Sequence, residues 1–224
     1  MFGLYVSVPI ACFRKGLARE YLETEPVPPP STCYGFLLSL VGEKDRTRHV
    51  GCRVTSVLLK QPEKSTVLRT VWKIKNRNLH MGQTPPPGAP KKVKNAGGNR
   101  MLDRQEILTG VKLILWLDSS DENGKNPSLE ERTKEALMHP EGIDRFGGLS
   151  LGESTHLIDE VKCFDGDSGR QGMIFLLAEQ GPLTLPVWVD HVGSKGTSYV
   201  TGEMVSSYLI APDVQRIPKI ARPE

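Results

Sequence analysis

Two stretches of the chain carry residue types that suit contact with a phosphate backbone. The first is a basic cluster within residues 73–104, where lysines and arginines stand among glycines, prolines and asparagines. Its basic residues are Lys73, Lys75, Arg77, Lys91, Lys92, Lys94, Arg100 and Arg104. Clustered cationic side chains attract nucleic acids because binding releases the counterions condensed on the phosphates. Such a cluster is also typical of a solvated loop without a partner, and both interpretations stay open.

The second stretch is FGGLSLGESTHLIDEV, residues 146–161, which contains Gly147, Gly148 and Gly152. Glycines let backbone N–H groups come close to phosphates. Gly147 and Gly152 have the separation of the P-loop glycines, but Glu153 stands where that motif requires lysine, which disfavours a nucleotide hydrolase. Two interpretations remain, a tight turn after the preceding helix and a backbone cradle for a nucleic-acid strand.

Nucleophilic and metal chemistry find less support in the sequence. The five histidines are scattered without an HExxH motif, and the four cysteines lack CxxC spacing, so we predict neither a metal nor a cofactor. The cysteine usage fits a reducing compartment, and we predict a cytoplasmic protein. His80 lies inside the basic cluster and is a candidate general base for RNA cleavage, with Lys91 or Lys92 stabilising the developing charge.

The length and composition of the chain limit the classes of protein that it can belong to. The 224 residues suit one large domain or two small ones, and the net charge of +3 permits an anionic partner without requiring one. No run of apolar residues approaches the length of a membrane span, so no membrane partner is predicted. The first residues, MFGLYVSVPIACFRKG, lack a basic region ahead of the apolar run and predict a strand rather than a signal peptide.

Two helices are predicted to position these stretches. Ser31 or Thr32 precedes the apolar run YGFLLSLVG and predicts a hydroxyl-capped helix that ends at Gly42. Ser128 with Glu131 three residues later forms a capping-box match and predicts a helix over 129–139. Tyr34, Trp72 and Phe146 are candidates for stacking on bases, although each suits a core position better.

Strands account for most of the remaining pattern. They are predicted at residues 2–9, 50–59, 66–75, 106–117, 157–164, 172–178, 183–190 and 198–210. In the third of these, alternation places Leu68, Trp72 and Ile74 on one face, and Arg69, Lys73 and Lys75 on the other. Residues 76–104 are predicted to form a long exposed loop or a protruding hairpin, and the Pro-rich residues 211–224 a loose tail.

The order strand, helix, strand, strand, helix and strand is close to that of a ferredoxin-like fold, so we predict the α+β class. We divide the chain into a core over residues 1–145 with an insertion at 76–104, a glycine loop with a strand-rich part over 146–210, and the tail 211–224. This fold hosts many activities, so it indicates the class and not the function.

Four features together resemble the CRISPR-associated protein five family. They are the N-terminal strand, the stretch PPPSTCYGFLLSLVGE, the long basic insertion and FGGLSLGESTHLIDEV. In type I CRISPR surveillance complexes, this subunit holds the 5′ end of the guide RNA. The resemblance implies an RRM-like core, a protruding thumb at residues 76–104, and glycines 147, 148 and 152 near the RNA backbone. Many relatives carry a basic residue directly after the last glycine, where this chain has Glu153.

The leading hypothesis is a non-catalytic subunit that binds the 5′ handle of a guide RNA and contacts neighbouring subunits of the assembly. Its predicted RNA-binding residues are Lys75, Arg77, Lys91, Lys92, Lys94, Arg100, Arg104, Gly147, Gly148 and Gly152. An alternative is a metal-independent endoribonuclease that processes precursor guide RNA. A third possibility is a structural assembly protein that does not touch RNA. The sequence leaves cleavage activity open.

Overall fold

The protein is a mostly antiparallel sheet with helices packed on one of its faces. The computed structural model describes residues 1–16, 21–72, 100–122, 126–145, 147–190 and 196–223, without the side chains of residues 71, 72, 100 and 101. The predicted insertion therefore lies largely outside the described residues. The predicted α+β class is confirmed at this coarse level, with strands dominating over helices.

Nine strands form one sheet across the described ranges. They are β1 (Phe2–Ala11), β2 (Tyr21–Leu22), β3 (Arg53–Leu58), β4 (Glu63–Trp72), β5 (Arg100–Asp118), β6 (Glu160–Phe164), β7 (Asp167–Leu177), β8 (Leu183–Trp188) and β9 (Ser198–Leu209). Their order is β6-β1-β5-β3-β7-β9-β8, and β2 and β4 pair with β5 outside this path. The short β2–β5 pairing is parallel, and the other pairings between named strands are antiparallel.

The main core lies between the sheet and the helices α1 (Pro30–Leu40) and α2 (Leu129–Met138). Alternate residues of β1, including Leu4 and Val6, point into this core together with Leu37 of α1. A smaller apolar cluster around Trp116 and Ile114 lies on the opposite face of the sheet. Since β6 pairs with β1 and β7 pairs with β3, the two predicted parts of the chain share one sheet.

Helix α1 begins one residue earlier than the hydroxyls that were predicted to cap it. Pro30 is the first helical residue, and the preceding Pro29 makes no side-chain capping bond, so the predicted hydroxyl cap is wrong. Proline suits this position because its fixed φ is helical and its missing N–H would have no partner there. Gly42 follows the helix with φ of +66°, which confirms its role as the C-terminal signal.

Helix α2 confirms its predicted capping box. The Ser128 hydroxyl accepts a hydrogen bond from the Glu131 N–H, and the Glu131 carboxylate accepts one from the Ser128 N–H at 2.8 Å. The Ser128 N–H and the Ser128 hydroxyl both donate to the Glu131 carboxylate, and these two bonds lower the pKa of Glu131 because they favour its charged form. A local pattern of four residues was enough to locate this helix start.

The predicted C-terminal strands are present in the structure, but residues 211–224 do not form the predicted loose tail. Residues Ile217 and Ile220 are fully buried, and the Val54 N–H donates to the Pro218 carbonyl at 3.0 Å. The Ile220 N–H donates to the Cys52 carbonyl at 2.8 Å, so the tail pairs with the segment that leads into β3. The prediction of a loose tail is wrong because two isoleucines gain burial that outweighs the local signal of the prolines.

Strands β4 and β5 form a hairpin in which the face that carries Leu68 is the exposed one. Their register runs from Glu63 opposite Thr109 to Trp72 opposite Arg100. Leu68 is 69% exposed, whereas Gln105, on the face that carries Arg69, is buried. The hairpin turns its polar face toward the rest of the protein because that face finds hydrogen-bond partners there.

Candidate nucleic-acid interface

Most of the predicted basic residues lie outside the described ranges. Residues 73–99 contain Lys73, Lys75, Arg77, His80, Lys91, Lys92 and Lys94, and Phe146 also lies outside the described residues. Arg100 and Arg104 are strand residues at the start of β5 rather than loop residues. Arg104 is exposed and, with Tyr21, Thr66 and Leu68, lines a surface cavity of about 520 Å³.

The predicted glycine loop is a small folded turn beside the end of β1. The Leu151 N–H donates to the His156 carbonyl, and the Ile158 N–H donates to the Leu149 carbonyl at 3.1 Å. Gly152 has φ of +100°, and a Cβ there would lie 2.7 Å from the Cys12 carbonyl oxygen. Glycine at 152 is therefore required by backbone conformation and close packing, as in the tight-turn interpretation.

Gly147 and Gly148 occupy different surroundings from Gly152. Gly147 has φ of +79° and open space where a Cβ would be. At Gly148 a Cβ would meet the flexible Leu157 side chain at 2.8 Å. Of the three predicted glycines, Gly147 is the one whose open side leaves room for another molecule.

Glu153 joins this turn to the base of the β4–β5 hairpin. Its carboxylate accepts a hydrogen bond from Arg69 Nη1 at 2.8 Å and another from Gln105 Nε2 at 3.0 Å. Arg69 also donates to the Gln105 side-chain oxygen. The Glu153 carboxylate is thus neutralised by an arginine of the hairpin.

Two neighbouring side chains, His156 and Glu106, also have hydrogen-bond partners. The His156 Nδ1 accepts the Cys12 N–H at 3.1 Å, and burial lowers the pKa of His156, so this nitrogen keeps its lone pair at neutral pH. Glu106 accepts bonds from Lys64 at 2.8 Å and from the Thr24 N–H at 3.1 Å. Burial raises the pKa of Glu106, but these bonds outweigh it and leave that pKa below its ordinary value.

A cleft of about 540 Å³ opens next to the glycine turn, between the start of α1 and the end of β8. Its polar and aromatic lining includes Phe13, Arg14, Ser31, Thr32, Tyr34, Phe36, Ser39, Arg46, Ser150, Glu153 and Trp188. The first turn of α1 carries no acidic residue and no side-chain cap. Glu153 is the acidic residue among the described lining, and its charge is already paired with Arg69. The cleft is therefore cationic.

Arg46 is the most constrained basic residue of this cleft. Its guanidinium carbon lies 4.0 Å from the centre of the Trp188 ring, and its Nη2 donates to the Val189 carbonyl. Tyr34 donates its hydroxyl hydrogen to the Arg46 carbonyl at 2.8 Å. Burial raises the pKa of Tyr34, so this hydroxyl stays protonated.

Sequence reasoning missed Arg46 and Trp188, which lie far apart in the chain. Arg46 belongs to the charged run EKDRTR, which resembles an ordinary solvated loop, and Trp188 belongs to a strand that resembles core. Tyr34, a candidate for stacking on bases, is buried and positions Arg46 instead. No local spacing pattern could have paired these residues.

Metal clusters and membrane-spanning helices are absent from the part of the chain that the structure describes. Within the described ranges, no group of three or more histidine, cysteine or carboxylate side chains is placed to hold a metal ion. Among the helices that the structure describes, none combines the length and the apolar character needed to cross a membrane.

The fold resembles that of solved structures from CRISPR systems. A solved structure described as "CRISPR RNA-guided surveillance complex" contains a chain that aligns over 96% of this protein and 95% of its own length, with a TM-score of 0.62 and 12% identity. This similarity shows a shared strand-dominated fold. A second solved structure, "Crystal structure of Cas protein", aligns over 97% of both chains with a TM-score of 0.48 and 12% identity.

Sequence similarity then gives the family. The chain is 48% identical over 221 residues to "CRISPR-associated protein Cas5" of Myxococcus xanthus (strain DK1622), covering 98% of this chain and 97% of that protein. The chain belongs to the CRISPR-associated protein Cas5 family. No protein-family model matches the chain.

Proposed function

We propose that this protein is a non-catalytic subunit of a cytoplasmic CRISPR surveillance complex that holds the 5′ handle of the guide RNA. In this role it also bridges neighbouring subunits, and the predicted thumb at residues 76–104 contributes most of the cationic contacts. Family membership supports the proposal, and the basic composition of the insertion supplies the charge that RNA requires.

The strand order supports a ferredoxin-like, RRM-like core for this subunit. Strands β6, β1, β5 and β3 are adjacent and antiparallel in the sheet. The elements β1, α1, β3, β5, α2 and β6, taken in chain order, match the strand, helix, strand, strand, helix, strand order of that fold, and β2 and β4 are additions that pair with β5. Strands β7, β8 and β9 extend this sheet beyond β3.

One observation carries the functional proposal, namely the contact of Glu153 with Arg69 and Gln105. It connects the glycine turn to the base of the hairpin whose strands lead into and out of the basic insertion. This contact supports the proposal because it brings the glycine turn next to the strands that flank the predicted insertion. A polyanion bound between them would meet a fixed turn on one side and cationic residues on the other.

The test is the binding of guide RNA by a triple charge-reversal variant, Lys91→Glu, Lys92→Glu and Lys94→Glu. If each lysine contacts one phosphate, the slope of log affinity against log salt should fall by about 2 units, because each single-strand contact contributes about 0.7. Affinity is measured by fluorescence anisotropy at salt concentrations from about 50 to about 300 mM. This range is wide enough to determine the slope.

A matched control variant reverses the charge of three exposed lysines outside the insertion, Lys44, Lys60 and Lys112, by substitution with glutamate. It changes the net charge equally and should leave the salt slope nearly unchanged. Equal losses of affinity in both triple variants would indicate unspecific attraction and would contradict the proposed interface.

Incubation with precursor guide RNA in EDTA should leave the RNA intact, and any specific product would favour the endoribonuclease alternative.

A further inference from the structure

Strand β4 forms an open edge of the sheet. Within the described ranges, β4 is hydrogen-bonded to β5 on one side and to no strand on the other. Six of the eight side chains from Glu63 to Thr70 are exposed, and those of Val67 and Arg69 are half-buried. An unpaired strand edge presents a row of backbone N–H and C=O groups, and these groups readily bind a further strand.

The features that normally protect such an edge are missing from the described residues of β4. The strand is ten residues long and contains no proline, and its register against β5 is continuous. Short length, proline and β-bulges are common ways in which proteins block the pairing of edges. Charged side chains are another, but Lys64 is bonded to Glu106 and Arg69 to Glu153 of the same chain. The edge is therefore available to a partner strand.

Three large apolar side chains are exposed on or beside the same hairpin. Leu68 is 69% exposed, Leu102 is 72% exposed and Tyr21 is 41% exposed. The register places Leu68 opposite Arg104 and Thr70 opposite Leu102, so both leucines lie on one face. Tyr21 and Leu68 also line the surface cavity of about 520 Å³. A group of exposed apolar side chains of this kind marks an interaction site.

The order of charges along β4 suits a second copy of the same strand. When two β4 edges pair antiparallel with Thr66 opposite Thr66, each Glu63 lies opposite the Arg69 of the other copy. Glu63 makes no ion pair within the part of the chain that the structure describes, and Arg69 uses only Nη1 for its bonds to Glu153 and Gln105. In this register Lys64 lies opposite Leu68, where its aliphatic stem covers part of the exposed leucine, and no like charges face each other.

We propose that the free chain binds a second copy of itself through this edge, with the two β4 strands antiparallel and Thr66 on the two-fold axis. Such a symmetric contact joins the two sheets into one and covers Leu68 in both copies. Pairing of ten-residue strands buries less area than a standard interface, so we expect a reversible dimer with a dissociation constant of about 10 µM. The dimer protects the exposed edge from uncontrolled strand addition until the chain meets its other partners. This inference concerns the chain without RNA and does not rest on the proposed function.

The test is sedimentation of the full chain without RNA, at concentrations from about 1 to about 200 µM, which bracket the expected dissociation constant. The unmodified protein should convert from monomer to dimer over this range. Thr66→Lys places two like charges opposite each other on the axis and should weaken the dimer at least about tenfold. Glu63→Arg replaces two attractive cross-strand pairs by two repulsive ones and should weaken the dimer about fivefold.

Matched controls carry the same substitutions at exposed positions away from β4. Thr184→Lys changes an exposed threonine of β8, the strand at the far end of the sheet, and Glu179→Arg changes an exposed glutamate in the loop before β8. Both variants should keep dissociation constants within about twofold of that of the unmodified protein, because salt screens distant exposed charges. Thermal unfolding checks that each variant is folded.

A cysteine on the axis tests the register directly. Cys163 is the exposed one of the four free cysteines, and Cys163→Ser removes it from the background. In that background Thr66→Cys brings two Cα atoms to about 5 Å, within the range of a disulfide, so oxidised glutathione should link the dimer covalently. Thr70→Cys is exposed on the same face but lies about 26 Å from its copy in this register, and it should stay unlinked.

Four results would overturn the inference. The first is an unmodified protein that stays monomeric up to the highest concentration. The second is a dimer that Thr66→Lys and Thr184→Lys weaken equally. The third is linkage of Thr70→Cys as efficient as that of Thr66→Cys, which would show a different pairing. The fourth is a species larger than a dimer, since a closed two-fold contact stops at two copies.

A monomer whose Thr66→Lys variant loses a co-expressed neighbouring subunit would assign the edge to that subunit and would also overturn the inference. None of these experiments measures guide-RNA binding, so each of these results leaves the proposed function intact. If Thr66→Lys does not fold, Glu63→Arg and the two cysteine variants decide the question.

Discussion

Two clusters of glutamate, histidine and arginine occupy different parts of this molecule, and they differ mainly in burial. In the first, His49 is fully buried, its Nδ1 lies 2.9 Å from Glu122, and Arg132 approaches its Nε2 at 2.9 Å. In the second, at the glycine turn, the side chains of Arg69 and Glu153 are 41% and 22% exposed. We refer to these as the His49 cluster and the Glu153 junction.

The His49 cluster serves the fold. Glu122 accepts the Leu129 N–H at the start of α2, and Arg132 donates to the Val41 carbonyl just after α1. The cluster therefore joins both helices to the loop that lies between α1 and β3. Its polar atoms are shielded from water, and loss of one member would leave a charged or polar partner without compensation.

The Glu153 junction joins surface segments instead. Water reaches its side chains and screens their attraction, so each contact adds little to stability. Similar residue types therefore stabilise the fold when they are buried, and orient a surface locally when they are exposed.

The largest expected effect comes from Arg132→Ala in the His49 cluster. It removes the donor to Glu43, His49 and Val41 and leaves the Glu43 carboxylate, whose side chain is 9% exposed, with fewer partners. We expect the free energy of unfolding in urea to fall by about 3 kcal/mol. Lys134→Ala, in an exposed i,i+4 pair on the same helix, should cost at most about 0.5 kcal/mol. Equal losses of unfolding free energy in the two variants would show that burial does not decide how much these ion pairs stabilise the protein.

The next largest effect is expected from alanine substitutions at two glycines in the turn of the Glu153 junction. Gly152→Ala must place a Cβ against the Cys12 carbonyl and keep a positive φ, so it should cost about 3 kcal/mol. Gly147→Ala meets open space and carries only the conformational cost of about 1 kcal/mol. Urea unfolding of both variants measures the difference, and the reverse order would show that the turn is held differently.

Glu153→Gln tests the junction itself. The amide keeps the shape of the side chain, and the ion pair is partly exposed, so stability should change by less than about 1 kcal/mol. Guide-RNA affinity should rise about threefold, because one negative charge leaves the cationic cleft and Arg69 keeps its own. Anisotropy titration at low salt gives the affinity, and a weaker complex would show that the Glu153 carboxylate assists binding.

The smallest effect is a pH dependence at the same junction. Burial lowers the pKa of His156 in the folded state, so the neutral ring is favoured by folding. Its contribution to stability is present above the unfolded pKa of about 6.5 and is lost as the pH falls toward the folded pKa. His156→Gln should remove this dependence between pH 7 and pH 5.5, as measured by urea unfolding. An unchanged slope in that variant would assign the dependence to another group.

Local signals in the sequence were sufficient for several elements of this fold. The Ser128 and Glu131 pair predicted the start of α2, Gly42 predicted the end of α1, and short strand-like runs with glycine turns predicted the four C-terminal strands. Each of these signals depends on neighbours within a few residues, so the chain alone contains the necessary information. The glycines of the turn were likewise recognisable from their spacing, and the family was identified from four stretches of sequence.

Tertiary structure decided the features whose partners are distant in the chain. The tail folds because Ile217 and Ile220 find a buried place beside Cys52, which no pattern within residues 211–224 could show. The polar face of the hairpin turns inward because Glu153 supplies a partner for Arg69, and Arg46 meets Trp188 only after β8 packs near α1. Alternation tells which residues share a face of a strand, but the direction of that face depends on what the rest of the chain brings against it.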